Sequence, residues 1–156
     1  MIVEEWQDKI GTEGDPVTIV IEGGLLGRFV QAVGDSNPLW QDEGYARGGK
    51  TGGMLAPPYL LCALMTMSSP SHEPNLIPVP IPKLPLPGAH TLDGGGEWEF
   101  FLPLKRGDTL ISRTRLADVF ERQGKMGTMG FFVYQTTYTN QRDEVIAKVS
   151  STFINY

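Results

Sequence analysis

At 156 residues, with 18 acidic against 13 basic side chains and a net charge of -5, the chain is long enough for one domain with a substantial core and too short for two. No Lys/Arg run occurs, which excludes the electrostatic footprint of nucleic-acid binding. The lone Cys62 excludes a disulfide framework or a cysteine zinc site within the chain, and no metal is expected.

The start, Met1-Ile2-Val3-Glu4-Glu5-Trp6, lacks a basic region followed by an apolar stretch, and no later span is long and apolar enough for a membrane. A soluble, cytoplasmic single domain over 1–156 is the expectation. Leu26, Phe29, Val30 and Val33 then fall at helical spacing with Arg28 and Gln31 between them, which predicts a helix with one buried stripe ended by Gly34. A second helix is predicted from Pro57 or Pro58 to Met67, because proline suits a first turn and Ser68-Ser69-Pro70 supplies a stop. Leu60, Leu61, Ala63, Leu64, Met65 and Met67 cover nearly every face of it. A helix apolar all round must be wrapped, and a curved sheet is the natural wrapper.

Residues 70–90 interleave prolines with apolar residues, which excludes regular helix and central strand. They read as an extended covering segment, with a polyproline ligand for a partner domain as the alternative. Four strands are predicted after them, at 96–102, 109–121, 127–139 and 144–154. In the first, Trp98 and Phe100 alternate with Glu97 and Glu99, giving one apolar and one solvated face. Asn140-Gln141-Arg142-Asp143 reads as the turn of an antiparallel hairpin, and Val145, Ala147, Val149 and Phe153 share one side of the last strand. Two helices followed by antiparallel strands predict an α+β domain of the hot-dog type, with a curved sheet around a central apolar helix. Free sheet edges predict a second copy or a partner.

Phe29-Val30-Gln31-Ala32-Val33-Gly34-Asp35-Ser36-Asn37-Pro38-Leu39 and Gly52-Gly53-Met54-Leu55-Ala56-Pro57-Pro58 resemble the amino-terminal dehydratase domain of the MaoC-like (R)-specific hydratases and dehydratases. Leu92-Asp93-Gly94-Gly95-Gly96-Glu97-Trp98-Glu99-Phe100, Pro103-Leu104-Lys105-Arg106-Gly107-Asp108-Thr109 and Thr136-Thr137-Tyr138-Thr139-Asn140-Gln141 are similar to the same family's strand and turn motifs, in the same order. The resemblance covers about residues 15–156. It implies a hot-dog protein acting on 2-enoyl or 3-hydroxyacyl thioesters carried on coenzyme A or acyl carrier protein, with no other cofactor.

Hydrating such a thioester needs a base for the attacking water, an acid for the α-carbon and donors for the enolate-like oxygen. The family motif reads Gly-Asp-x-Asn-Pro-x-His, so the resemblance implies Asp35 as the catalytic acid/base, but the histidine position holds Trp40. An indole has no basic nitrogen and its N–H only donates. Relatives carry His-Gly where this chain has Pro57-Pro58, and the glycine N–H is the implied oxyanion donor; Pro58 has none. Gly53 and Met54 are the candidates to replace it. Asn37, Trp40, Gly53, Met54, Pro57 and Pro58 are the implied substrate-binding residues. His72 and His90 flank the proline-rich segment and read as loop histidines, and Asp93 stands where relatives often carry histidine.

Losing a general base typically costs about a hundred- to ten-thousand-fold in rate, and losing an oxyanion donor about a hundred- to a thousand-fold. Asp35 therefore has two readings, a residual catalytic group or the anchor of a turn. Trp40 likewise either packs in the core or lines the acyl pocket. The chain reads as the non-catalytic, substrate-binding half of a heteromeric hydratase, paired with a catalytically intact hot-dog subunit. The alternatives are a homodimeric hydratase using Asp35 with an unrecognised base, and an acyl-thioester binding protein without catalysis, so whether the chain is itself an enzyme stays open.

Overall fold

The computed structural model describes residue 4 and residues 6–66, 90–125 and 127–156. After a short 3-10 turn at Gln7–Lys9 come strand β1 (Val17–Val20) and helices α1 (Gly23–Val33), α2 (Pro38–Gln41), α3 (Glu43–Gly48) and α4 (Leu60–Thr66). Strands β2 (Thr91–Phe100), β3 (Thr109–Gly124), β4 (Gly127–Thr139) and β5 (Val145–Asn155) follow. All five strands form one antiparallel sheet in the order β1-β3-β4-β5-β2. The predicted α+β arrangement is present.

The core lies where the sheet meets α1 and α4. Leu60, Leu61 and Leu64 are at most 1% exposed and pack with Ile19, Leu26, Val30, Leu110, Tyr138 and Val149. The wrapped apolar helix is therefore the one predicted from composition, but Pro57, Pro58 and Tyr59 stand before it in a turn rather than in its first turn. The Leu60 and Leu61 N–H groups donate to the carbonyls of Pro57 and Pro58. Residue 67, the predicted end, lies outside the described residues, as do His72 and all of the proline-rich segment except His90. A second cluster of Leu116, Val119, Phe132 and Tyr134 is covered by Trp6, whose ring meets Phe132 edge-on at 5.2 Å.

Helix α1 ends at Gly34, which adopts the left-handed conformation (φ 70) that a Cβ would strain. Its predicted stripe is only partly buried: Leu26 and Val30 face the core, Phe29 packs at its margin, and Val33 is 50% exposed. The strands β3, β4 and β5 fall close to their predicted ranges. The Asn140–Asp143 turn joins β4 to β5, with the buried Asn140 side chain accepting from the N–H groups of Arg142 and Glu144.

The strand predicted at 96–102 instead runs Thr91–Phe100, leaving Phe101 and Leu102 beyond it. The strand takes in the glycine-rich residues before 96, and the ladder absorbs them through a register shift between Asp93 and Gly96. Trp98 stacks on Tyr138 at 5.9 Å, yet Phe100 on the same side is 47% exposed, because β2 is the last strand of the sheet. Strand β1 and the short helices α2 and α3 were not predicted.

Truncating Leu61 leaves a cavity beneath the sheet, so Leu61→Ala should cost about 2–5 kcal/mol in urea unfolding. A loss below about 1 kcal/mol would show that the sheet does not hold α4 as tightly as its burial implies.

Candidate active site

The segment Gly34-Asp35-Ser36-Asn37-Pro38 joins the end of one helix to the start of the next. The N–H of Gly34 turns back to the carbonyls of Gln31 and Val30, and that of Asp35 to Val30. Asn37 caps α2, its side-chain oxygen accepting from the N–H of Leu39 at 3.0 Å, and Pro38 occupies the first helical position. The motif is thus a complete turn in its own right.

The Asp35 carboxylate sits at the centre of this turn. Its Oδ1 accepts from the N–H of Asn37 at 2.9 Å. Its Oδ2 accepts from the indole N–H of Trp40 at 2.9 Å and from the hydroxyl of Tyr59. The amide of Gln41 also donates to the Asp35 carbonyl. Tyr59 has the largest effect in holding the Asp35 carboxyl below its usual range, followed by the Asn37 N–H; burial opposes them, and Trp40 lowers it by less than burial raises it. The phenol in turn is pushed up to about 12, chiefly because ionising it would cost its hydrogen bond to the carboxylate.

These contacts limit what the carboxylate can do. It offers about four lone-pair sites, and three donors already occupy it. A base works best with a pKa near the working pH, whereas every donor here stabilises the anion and weakens it as a base. Trp40 reaches the carboxylate from the family's histidine position, but as a donor only.

Trp40 also separates two clefts. One, of about 650 Å³, contains Asp35, Gln31, Glu43, Met54 and Arg106 along the glycine-bearing face of α1. The other, of about 390 Å³ and largely apolar, is bounded by Trp40, Pro58, Leu61, Phe100, Leu102 and Ile146. Of the expected substrate-binding residues, Trp40 lines both clefts, Met54 the first and Pro58 the second. Asn37 serves as the helix cap, Gly53 uses its carbonyl to accept from the Thr51 hydroxyl, and Pro57 is buried beneath the entry to α4.

Sequence reasoning missed Tyr59 and Arg106. A lone hydroxyl at the head of an apolar helix was the available signal for Tyr59. Arg106 belongs to the Lys105–Asp108 turn, closed by the Asp108 carboxylate accepting from the Lys105 N–H at 2.9 Å and by Gly107 at φ 89. Its guanidinium lies so close over Gly23 that a Cβ there would meet Nε at 2.7 Å. Arg106 is therefore a cation beside the acidic cleft, 3.8 Å from Glu43 and 3.6 Å from the Met54 sulfur.

The His90 ring lies tilted against Tyr156 with centroids 5.5 Å apart, at the opposite end of β2 from Phe100, and lines neither cleft. Asp93 bonds the N–H of Gly95 within the β2 bulge. Among the described residues, no group of three or more His, Cys, Asp or Glu comes together as a metal site, and no helix is long and apolar enough to cross a membrane.

The family described as "FAS1-like, dehydratase domain region" matches residues 8–149. No match is found among curated protein sequences. The structure is similar to the ChsH1-ChsH2 complex from Mycobacterium tuberculosis, with TM-score 0.77, 21% identity, and 99% of this chain and 97% of that chain covered. A MaoC-like dehydratase from Rhodospirillum rubrum aligns with TM-score 0.71, 19% identity, and 100% and 97% coverage. The HadBC (3R-hydroxyacyl-ACP dehydratase) complex from Mycobacterium tuberculosis aligns with TM-score 0.70, 18% identity, and 90% and 92% coverage. At these identities the likeness establishes the hot-dog fold.

The lowered Asp35 pKa means that this carboxylate stabilises the fold above its unfolded value, near 3.8, and that this contribution is lost as pH falls through the folded value. Asp35→Asn should therefore lower Tm at pH 7, with the gap from wild type closing below about pH 4. Tyr59→Phe should move the Asp35 carboxyl, followed by carbon NMR, up toward 3.8; an unchanged midpoint would refute the contact.

Proposed function

The chain belongs to the FAS1-like dehydratase-domain family, and from that membership we propose that it is the non-catalytic, substrate-binding subunit of a heteromeric hydratase or dehydratase acting on 2-enoyl or 3-hydroxyacyl thioesters. The observation that carries this reading is the Asp35 carboxylate, engaged by Tyr59, Trp40 and the Asn37 N–H, with no imidazole beside it among the described residues. A second support is Pro58, which offers no N–H at the position of the family's oxyanion donor.

In this reading the partner subunit supplies the aspartate–histidine pair and the oxyanion donor. This chain supplies an apolar wall of Trp40, Pro58, Leu61 and Phe100, in a cleft of about 390 Å³ that falls within the usual size of ligand pockets. The carrier is coenzyme A or acyl carrier protein. Among the described residues no strand pairs with the outer side of β2, which favours a partner, since Phe100, Phe101 and Leu102 are 47%, 49% and 41% exposed there. Two of the similar structures are themselves complexes of named hot-dog chains, ChsH1-ChsH2 and HadBC.

The purified chain should hydrate a panel of 2-enoyl-CoA thioesters no faster than its Asp35→Ala variant, while the complex captured with its native partner should turn them over. Robust turnover by the pure chain that disappears in Asp35→Ala would overturn the proposal in favour of a homodimeric hydratase. Acyl-CoA should raise the Tm of the complex by mass action. Binding without turnover by the captured complex would instead favour a thioester-binding protein.

A further inference from the structure

The outer face of the sheet, opposite the helices, carries side chains in cross-strand rows. Register places Arg113, Thr137, Lys148 and Glu99 side by side across β3, β4, β5 and β2. The next row is Arg115, Gln135, Ser150 and Glu97. Both rows line one trough of about 870 Å³. Each runs from a cation on β3 to an anion on β2. Among the described residues Arg113, Glu97 and Glu99 make no ion pair, and Arg115 is held by Gln135 rather than by a carboxylate.

Farther along the same face a third row is wholly apolar: Phe120, Phe131, Ile154 and Leu92. Phe120 and Phe131 stack at 4.8 Å beneath the Arg122 guanidinium, and Leu92 is 49% exposed. An outward row of four large apolar side chains lacks the polar alternation of a solvated face.

These rows share one symmetry. A twofold axis lying in the interface, parallel to the strands and midway between β4 and β5, places β3 of one copy over β2 of the other at the same height. Arg113 then faces Glu99, Arg115 faces Glu97, Phe120 faces Leu92 and Phe131 faces Ile154. The axis repeats each contact, so two kinds of ion pair become four. Both arginines thus meet glutamates and the apolar row meets itself, while Lys148 faces the neutral Thr137, and this pairing is the self-complementarity that an isologous interface requires.

We propose that this sheet face docks against the same face of a second copy of the chain. Four strands at about 4.8 Å spacing, over about eight residues of each, give on the order of 500 Å² per copy, near the lower limit for specific association. The contact lies on the side of the sheet away from both clefts. It depends neither on the β2 edge nor on the function proposed above.

The test is light-scattering mass of three preparations of the full chain. Glu97→Arg/Glu99→Arg leaves both edges of the face positive, and Arg113→Glu/Arg115→Glu leaves both negative, so each variant alone should show half the wild-type mass. An equimolar mixture matches plus with minus at both contacts and should regain the wild-type mass, which also shows that both variants are folded. Wild-type mass in either variant alone, or a mixture that stays at half mass, overturns the proposal.

Discussion

The burial of Leu60, Leu61 and Leu64 is the constraint on which the remaining structure rests. Each leucine fully withdrawn from water contributes about 1.5–3 kcal/mol, and a helix apolar on every side gains this only when enclosed. The sheet and α1 provide the enclosure, with Ile19, Leu110, Tyr138 and Val149 facing the helix from four strands. Fixing α4 also fixes the residue that precedes it. Tyr59 cannot follow its neighbours into the core, because its hydroxyl needs a partner, and it meets Asp35 at the margin.

That contact links packing to chemistry. A carboxylate serving as a base has to hold its proton weakly but not too weakly, and three donors on one aspartate push the balance toward the anion. The same donors tie the end of α1, the start of α2 and the head of α4 into one unit. The turn carries the family motif except at Trp40, and its carboxylate is engaged by three donors. Trp40 supplies one of those donors and lines both the polar and the apolar cleft.

The sheet has two different edges and two different faces. At the β1 side, the segment before β1 continues along β3, with Gly11, Thr12 and Gly14 exchanging backbone hydrogen bonds with Leu116 and Thr114. The β2 side has no such cover among the described residues and ends in the exposed Phe100, Phe101 and Leu102. One face encloses α4. The other carries the charged and apolar rows, whose order across the strands comes from register rather than from sequence proximity.

Local pattern determined the parts of the fold whose physics is local. The left-handed stop at Gly34, the Asn140–Asp143 turn, the long alternating strands β3 to β5 and the apolar helix were legible, as was the departure of Trp40 and Pro58 from the family motif. Strand β1 was not, because four residues with a single buried side chain at Ile19 are too few to reveal a period. Nor was the start of β2, where three glycines show no alternation and join the strand only because β5 pairs with them through a bulge. Tyr59 lies 24 residues from Asp35, and Arg106 approaches Gly23 from a turn far along the chain. Those contacts form only when the core closes, so the sequence determined where the motif departs from the family pattern, and tertiary packing alone decided which groups meet the Asp35 carboxylate.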